Sequence, residues 1–326
     1  MTETKIPETL IEFSEQFHTE AACVDFLIKI RWPKGFSCQK CGTGHGHRLK
    51  TRDLIECSNK SCCNQISVTS GTVMHRSKQD LRTWFWGAYL VSTLTPGVSA
   101  VQFQRQLGIS RYETAYNMLH KLRSALVAPD RELLLDEVEV DETYIGGEEE
   151  GHPGRGSEKK ILVVCAVELV RWVDKKTGNE RVRPGRIRLR AIPDASSNSL
   201  IPFVTGNVKP GSIVRTDGWA GYLPLSKEQY VHQPIAQGQG KDAVHMLFVH
   251  IVFSNLKTWL LGTYHGGVQE KHMQAYLNEF VYRFNRRFFR GPAFKRALGL
   301  ATEAECWPTY KSLYKAGEAD GWIHPS

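Results

Sequence analysis

Runs of alternating or continuous apolar residues mark five stretches from residue 134 onward and predict β-strands. These stretches are residues 134–147, 159–170, 185–193, 211–222 with its turn, and 230–234. A short helix is predicted at 194–204, with Asp194 or Ser196 as its cap. Longer apolar segments at 245–262 and 271–288 predict two helices after the last strand. This order of elements predicts an α/β fold class with a mixed sheet flanked by helices.

Helical periodicity marks the first half of the chain. Residues 81–94 are apolar and aromatic and predict a buried helix. Residues 95–126 predict a helix, a turn beginning at Gly108 and a second helix, with Ser99 and Ser110 as the two caps. This spacing is typical of a helix-turn-helix, although similar helix pairs occur in proteins that bind no DNA. The side chains that the second helix would offer to a groove are Arg111, Tyr112, Asn117, His120 and Lys121.

These patterns divide the chain into five segments. They are an N-terminal helical segment at 1–33, a small cysteine-rich module at 34–76, a helical region at 77–130, the α/β domain at 134–292 and a C-terminal tail at 293–326. A length of 326 residues suits about two domains with smaller modules.

Charge and composition narrow the class of protein. The net charge of +8 and the pI of about 9.0 favour a polyanionic partner. Between residues 283 and 296, basic residues interleave with phenylalanines, which suits a DNA backbone and exposed bases or, equally, an amphipathic helix with solvated arginines. The N-terminus has no apolar signal-peptide core, and no apolar run approaches the roughly 20 residues of a membrane span. We therefore expect a cytoplasmic protein without a membrane partner.

Five of the eight cysteines lie between residues 38 and 63, which indicates a metal site and not a disulfide framework. The candidate ligands are Cys38, Cys41, Cys57 and Cys62. Thiolates at this spacing are typical of a zinc ribbon, in which Zn²⁺ supplies folding free energy to a unit too small for its own core. The sequence leaves Cys63 open in place of Cys62, and His45 or His47 as a substitute for a thiolate.

Two aspartates mark predicted strands, and two further polar residues follow on a helix. Asp141 lies in the first strand of the α/β domain, and Asp217 directly follows the fourth. His250 and Lys257 lie seven positions apart, which puts them on one helix face about 10 Å apart. Carboxylates at strand ends with a third ligand on a helix can gather two divalent cations, Mg²⁺ or Mn²⁺, for phosphoryl transfer. We therefore predict a catalytic metal site formed by Asp141, Asp217 and His250.

The residues around this predicted site leave alternatives open. Glu142 points to the opposite face of the strand from Asp141, so one of the two faces the ions. Each aspartate alone could be an ordinary cap or turn residue, and a histidine on an apolar helix is most often a core residue. Other candidates for the third ligand are Asp242, Glu270 and Glu279.

Several blocks of the sequence resemble the signature blocks of the ISXO-like insertion-sequence transposases. They are VEVDETYIGG at 138–147, RTDGWAGY at 215–222, SNLKTWLLGTYHG at 254–266, YLNEFVYRFNRR at 276–287 and QISVTSGTVMH at 65–75. Together the blocks extend over most of the chain. The resemblance implies a zinc ribbon before a DDE-type catalytic domain with a ribonuclease-H-like fold, in which the first and fourth strands lie side by side.

The resemblance also implies roles for individual residues. It makes Asp141 and Asp217 the first two metal ligands, and it places Lys257 on the family's lysine, which can contact a DNA phosphate near the scissile bond. His250 falls where many members of the family have glutamate. The chain therefore looks like a DDH variant of the DDE pattern.

The expected function is insertion-sequence transposition. The chain is expected to cut DNA at terminal inverted repeats and to join the freed 3′-hydroxyl to target DNA, as a homodimer or larger assembly in the bacterial cytoplasm, at the nucleoid. The alternative is a zinc-ribbon DNA-binding regulator with a catalytically degenerate nuclease-like domain, which the histidine at the third position keeps open. A structure-specific nuclease on the same fold is a further alternative.

Overall fold

The computed structural model of the chain describes residues 6–49, 54–128, 130–146, 160–235, 246–265, 267–303, 308–309 and 313. The backbone forms two compact units. One contains Met1–Ala128 with Arg286–Ile323, and the other contains Pro129–Asn285 with His324–Ser326. None of the described helices is long and apolar enough to cross a membrane.

The elements alternate between helical regions and two sheets along the chain. In chain order they are α1 (Leu10–Gln16), α2 (Glu20–Arg31), β1 (Gly46–Leu49), β2 (Leu54–Cys57), β3 (Gln65–Ser67), α3 (Leu81–Thr93), α4 (Ala100–Leu107), α5 (Tyr112–Ala125), β4 (Glu137–Ile145), β5 (Ile161–Val173), β6 (Glu180–Ile192), α6 (Ser197–Thr205), β7 (Ile213–Thr216), a 3-10 helix (Ala220–Lys227), β8 (Val231–Pro234), α7 (Leu247–Tyr264), α8 (Glu270–Asn285) and α9 (Arg290–Glu303). Each strand and long helix predicted for the second half of the chain is present.

Aromatic side chains fill the core of the first unit. The rings around Phe294 are those of Phe13, Phe17, Phe26, Phe85 and Tyr89, at centroid distances of 5.0–6.3 Å. Phe294 is completely buried and lies on α9. Residues 293–303, which the sequence suggested as the start of a C-terminal tail, therefore belong to a helix that packs in this core. Pro292 lies in the first turn of α9, where the missing N–H of proline costs no intrahelical hydrogen bond.

The predicted helix-turn-helix is present as α4 and α5. Gly108 ends α4 in the left-handed conformation with a φ of 64°. The Ser99 hydroxyl accepts a hydrogen bond from a backbone N–H in the first turn at 3.2 Å and caps α4 as predicted. The prediction that Ser110 caps the second helix is wrong, because Arg111 occupies the N-cap of α5 and makes no side-chain capping bond.

The burial of α5 also corrects the set of side chains expected at a DNA groove. His120 is completely buried, and its ring centroid lies 4.3 Å from that of Tyr116, so this histidine packs within the helices. Burial also lowers the pKa of Lys121. Arg111 and Tyr112 are exposed, so a DNA contact of α5 would come from its first turn.

A five-stranded mixed sheet in the order β6-β5-β4-β7-β8 forms the centre of the second unit. β5 is antiparallel to β4 and β6, whereas β7 is parallel to β4 and β8 is parallel to β7. The first and fourth strands of the domain therefore lie side by side, as the resemblance predicted. α7 and α8 cover one buried apolar cluster, and α6 with the 3-10 helix covers another. The ribonuclease-H-like α/β fold class is confirmed.

The structure refines two local predictions in this sheet and its first helix. β6 begins at Glu180, ahead of the predicted start at residue 185, and its first residues pair with the end of β5. Ser196 occupies the N-cap of α6, but its side chain makes no capping bond. Asp194 instead accepts hydrogen bonds from Ser196 N and the Ser199 hydroxyl, both at 2.9 Å.

Glu168 lies on β5 of this sheet, and its carboxylate accepts several hydrogen bonds. It accepts from Leu135 N at 3.0 Å and from Arg186 Nε and Nη2 at 3.0 and 2.6 Å. Burial alone would raise the pKa of Glu168, but the hydrogen bonds from Arg186 and Leu135 hold it below its ordinary value. The carboxylate therefore stabilises the fold above its unfolded-state pKa of about 4.3, and this contribution is lost as the pH falls through the lower folded-state pKa.

We expect Arg186→Met to lower the free energy of unfolding by about 3 kcal/mol at pH 7, because it leaves a largely buried carboxylate without its partner. The loss should become smaller as the pH falls through the lowered folded-state pKa of Glu168, where the carboxylate takes up a proton. Urea unfolding at pH 7 and at an acidic pH below this pKa measures the difference, with Lys227→Met as a control at an exposed cation. An equal loss at both pH values would contradict a role for the Glu168 charge.

Candidate functional sites

Asp141 lies in the middle of β4, on the face that α7 covers. It is 7% exposed, and its Oδ1 accepts a hydrogen bond from Glu142 N at 2.8 Å. Glu142 points to the other face, where the Tyr222 hydroxyl donates to its Oε2 at 2.8 Å. The predicted alternation is therefore present, and Asp141 is the member of the pair that faces α7.

Asp217 directly follows β7, which pairs with β4 in parallel. The register joins Glu139 to Arg215, and continuing it for two residues brings Asp217 level with Asp141. The Asp217 Oδ1 accepts a hydrogen bond from Trp219 N at 2.9 Å. Gly218 between them has a φ of +80°, a conformation that residues with a Cβ rarely adopt. The parallel pairing thus brings two aspartates from distant motifs to one end of the sheet.

His250 and Lys257 both extend from α7 to the strand that carries Asp141. The His250 Nδ1 lies 3.8 Å from the Asp141 Oδ2. The histidine side chain is 52% exposed and that of Asp141 is 10% exposed, so the pair opens to solvent on the imidazole side. Lys257 donates from Nζ to the Thr143 hydroxyl at 2.9 Å. The helix face predicted for His250 and Lys257 is therefore present and lies against β4.

The acids at this end of the sheet perturb one another. Burial, together with the charges of Glu142, Asp217 and Glu139, raises the pKa of Asp141 to about 7, against the opposing effect of the bond from Glu142 N. Burial, followed by the charges of Glu142, Asp141 and Asp217, raises the pKa of Tyr222 well above its ordinary value. Carboxylates that repel one another in a partly buried site are stabilised by a bound cation. The donor set of two carboxylates and an imidazole fits divalent cations, with the imidazole favouring Mn²⁺.

The alternatives for the third ligand lie in different surroundings. Glu279 is completely buried on α8 and forms an ion pair with Arg283 at 3.2 Å. Glu270 is exposed at the start of the same helix, and Asp242 lies outside the described residues. Among the candidates in the described part of the chain, His250 is the one within ion-pair distance of Asp141.

Glu139 is a residue of this site that the sequence reasoning missed. It is 2% exposed, and its Oε2 accepts hydrogen bonds from Phe248 N at 2.9 Å and Val249 N at 2.8 Å. The signal for it was present in the sequence. Acids at 137, 139 and 141 alternate with the apolar residues Val138 and Val140, so all three share one face of the strand.

The basic and aromatic segment at 283–296 fits each of its two interpretations in part. Some of its aromatic rings are exposed, as a DNA-binding surface requires, and another is buried, as in an amphipathic helix. Phe288 and Phe289 are each 65% exposed, and the Arg287 guanidinium lies 4.6 Å from the centroid of the Phe288 ring. Phe294, by contrast, is a core residue. The exposed rings are therefore confined to the turn before α9.

The cysteine-rich module brings four thiols together beside its small antiparallel sheet. The Sγ atoms of Cys38, Cys41, Cys57 and Cys62 all lie within 4.8 Å of one another. The distance is 3.9 Å between Cys38 and Cys62 and 3.5 Å between Cys41 and Cys57. Four thiolates that surround Zn²⁺ at about 2.3 Å in a tetrahedron lie about 3.8 Å from one another. The cluster therefore fits a structural zinc ion.

The geometry also separates Cys62 from the other ligand candidates. Cys63 is exposed, has a φ of 43° and donates from Sγ to the carbonyl of Lys60 at 3.2 Å. The His47 Nε2 lies 3.6 Å from a carboxylate oxygen of Glu56. Within the described residues, neither Cys63 nor His45 nor His47 belongs to the group of metal-ligating atoms that Cys62 joins.

Comparison with known proteins gives matches for both of these sites. Residues 133–285 match the ISXO2-like transposase domain, and residues 18–65 match the transposase zinc-ribbon domain. A protein in the transposable element ISH50 of Halobacterium salinarum is 28% identical over 307 residues, which cover 86% of this chain and 95% of that relative. A transposase-like protein of Haemophilus influenzae is 28% identical over 99 residues, which cover 29% of this chain and 76% of that relative. No solved structure matches the chain.

Proposed function

Because the chain belongs to the ISXO-like insertion-sequence transposases, with their zinc ribbon and their transposase domain, we propose that it cuts DNA at the terminal inverted repeats of its element and joins the freed 3′-hydroxyl to target DNA. The observation that carries this proposal is the 3.8 Å approach of His250 to Asp141, at the end of the sheet where β7 leads into Asp217. A cluster of acids with an imidazole, open to solvent on one side, suits metal-dependent chemistry on a large substrate.

Asp141, Asp217 and His250 are the residues that would hold two divalent cations. Such ions, when bound, activate the attacking oxygen and stabilise the charge of the phosphoryl transition state. The chain itself fixes the two carboxylates: Oδ1 of Asp141 is held by Glu142 N, and Oδ1 of Asp217 is held by Trp219 N. Each aspartate thus keeps its other oxygen for a ligand. No protein nucleophile is assigned, because water and then a DNA hydroxyl are the attacking groups.

Lys257 is proposed to contact a DNA phosphate next to the scissile bond. Its ammonium group is held beside the strand of Asp141 by the hydroxyl of Thr143 at 2.9 Å. Because that hydroxyl carries no charge, the positive charge of Lys257 is left for a phosphate. The lysine would therefore set the register of the DNA backbone without binding the ions.

Recognition of the inverted repeats is assigned to the zinc ribbon and the α4–α5 helix pair. The exposed first turn of α5, with Arg111 and Tyr112, offers a cation and an aromatic ring to DNA. Two element ends must be held together for insertion at one target site. The active form is therefore proposed to be a homodimer or larger assembly on DNA, in the bacterial cytoplasm at the nucleoid.

A joining assay tests the proposed activity. Zinc-loaded chain is incubated with Mn²⁺, a labelled duplex ending in the inverted repeat that flanks the gene, and a supercoiled plasmid. Transposition predicts labelled duplex joined to the plasmid through its 3′ end, at least about tenfold more efficiently than a duplex with a scrambled end. Cleavage without joining and without preference for the repeat would instead identify a structure-specific nuclease.

A DNA-binding regulator is the second candidate function, because an imidazole takes the place of the third carboxylate and binds Mg²⁺ less well. A regulator would bind the inverted repeat and would neither cut nor join DNA with any divalent cation. The same assay, performed with Mg²⁺, Mn²⁺ and no metal, separates this candidate from a transposase.

His250→Glu is expected to shift the metal preference of the reaction towards Mg²⁺, since a carboxylate suits Mg²⁺ better than an imidazole does. We expect the wild-type chain to be at least about tenfold more active with Mn²⁺ than with Mg²⁺, and the variant to lose most of this difference. Joining rates measured with each ion test this, with His265→Glu at the exposed end of the same helix as the control. Equal wild-type rates with both ions would count against a direct His250 contact.

A further inference from the structure

The start of α7 takes its cap from a strand of the sheet and not from its own residues. The N-cap residue, Met246, makes no side-chain capping bond. The first N–H groups of a helix have no partner within the helix, so they require an acceptor from elsewhere. Glu139 supplies it, since its Oε2 accepts from Phe248 N at 2.9 Å and from Val249 N at 2.8 Å. The residue after this anchored pair is His250.

The capping contact of Glu139 is one of three side-chain contacts that join one face of β4 to α7. Residues 139, 141 and 143 alternate along the strand and therefore share a face. After the Glu139 cap, Asp141 lies 3.8 Å from His250, and Thr143 accepts a hydrogen bond from Lys257 at 2.9 Å. The strand that carries the first aspartate thus also fixes the helix that carries the imidazole and the lysine.

The burial of Glu139 makes this contact a requirement of the fold. The residue is 2% exposed, and a carboxyl group enclosed in this way requires hydrogen-bond partners. The hydrogen bonds from two adjacent amides in the first turn of α7 meet that requirement. If the acceptor is removed, two amides in the first turn lose their partner, and the turn that carries His250 is free to move.

We propose that Glu139 is a positioning residue, which holds the first turn of α7 so that His250 stays within reach of the ions at Asp141 and Asp217. The proposal rests on the proposed function of that site. Glu139 acts through the helix, because the oxygen that caps it is engaged by two N–H groups. The opposing possibility is that Glu139 is itself the third carboxylate ligand. The two roles differ in what a glutamine at this position can replace.

The test compares Glu139→Gln with Glu139→Leu in the full-length, zinc-loaded chain. Glutamine keeps an amide oxygen that can accept the two bonds, whereas leucine has a similar size and no acceptor. The first measurement is hydrogen exchange of the peptide that covers residues 247–250. The second is the Mn²⁺ concentration that half-saturates the site in a calorimetric titration. Glu228→Leu, at an exposed glutamate of the same unit, is the matched control.

We expect Glu139→Leu to accelerate exchange at the start of α7 and to raise the half-saturating Mn²⁺ concentration by about 10–100-fold. Glu139→Gln should remain within about threefold of the wild type in both measurements, since it restores the acceptor. Thermal melting of each variant records whether the fold persists. If the leucine variant does not fold, the glutamine variant alone decides between the two roles.

Two results would overturn the proposal. One is an equal loss of Mn²⁺ affinity in the glutamine and leucine variants while exchange in the glutamine variant stays normal, which would identify Glu139 as an ion ligand. The other is unchanged exchange and unchanged Mn²⁺ affinity in the leucine variant. Neither measurement uses DNA. A wild-type chain that binds Mn²⁺ as expected but fails to join DNA would therefore refute the proposed function and leave the positioning role standing.

Discussion

Asp141→Asn and Asp217→Asn are each expected to lower the rates of DNA cleavage and joining by at least about 10³-fold, which corresponds to about 4 kcal/mol in the barrier. Asparagine has nearly the shape of aspartate and keeps an oxygen for the bond from Glu142 N or Trp219 N. Its amide carries no negative charge to hold a divalent cation. The loss should therefore arise from the site and not from the fold, and single-turnover assays on a duplex bearing the inverted repeat measure it.

Asp194→Asn is the matched control for these variants. Like Asp217, Asp194 accepts a hydrogen bond from the backbone N–H two residues further along, but it lies on the exposed surface. We expect it to retain wild-type activity. Retention of more than about a tenth of the wild-type rate in either site variant would contradict the catalytic assignment.

Asp141→Asn should also stabilise the ion-free chain, which separates loss of function from loss of fold. Burial and neighbouring acids raise the pKa of Asp141 to about 7. Between about pH 4 and pH 7, the folded chain therefore keeps a proton on Asp141 that the unfolded chain has already released. The stability of the wild type therefore falls as the pH rises through this window and stays lower above it. We expect the variant to melt at a higher temperature than the wild type at pH 8, with little difference near pH 4.

Cys62→Ser is expected to abolish zinc binding and unfold the ribbon, whereas Cys63→Ser should leave both unchanged. Cys62 belongs to the four-thiol cluster, while the Cys63 thiol contacts the carbonyl of Lys60. Structural zinc contributes about 10–16 kcal/mol of binding free energy to small zinc modules, which otherwise lack the core to fold. The expected loss of zinc and of ribbon structure is therefore large for Cys62→Ser and absent for the adjacent Cys63→Ser.

Zinc content per chain and limited proteolysis measure this difference. We expect about one zinc ion in the wild type and in Cys63→Ser, and a ribbon in Cys62→Ser that is cut rapidly while the transposase domain remains intact. Loss of zinc from Cys63→Ser, with full zinc in Cys62→Ser, would reverse the ligand assignment.

The proximity of the two aspartates could be predicted by combining local patterns with the family resemblance. The strands at 137–145 and 213–216 can be recognised from their apolar residues, and the resemblance implied that these strands lie side by side; their parallel pairing brings residues 141 and 217 level. The helix face of His250 and Lys257 follows from their seven-residue spacing alone. Sequence periodicity can therefore predict the features that depend on strand alternation and helical turns.

Other features could not be predicted because they depend on the three-dimensional arrangement of the backbone and side chains. The choice between Cys62 and Cys63 depends on the backbone conformation of the turn that carries both residues, where Cys63 adopts a positive φ. The helix at 290–303 contains a Gly-Pro pair in its first turn, although such a pair usually signals a boundary, and its burial depends on aromatic side chains from the other end of the chain. The alternation of acids places Glu139 on the same strand face as Asp141, but its contact with the two N–H groups of α7 could not be predicted from the sequence.

A calorimetric titration of Mn²⁺ into the zinc-loaded chain, bound to a duplex ending in the inverted repeat, tests the proposed two-metal site directly. The wild type is compared with the Asp141→Asn/Asp217→Asn double variant. We expect about two Mn²⁺ ions per chain for the wild type and none for the double variant at the same concentrations. Equal stoichiometry and affinity in the two proteins would contradict the proposed site.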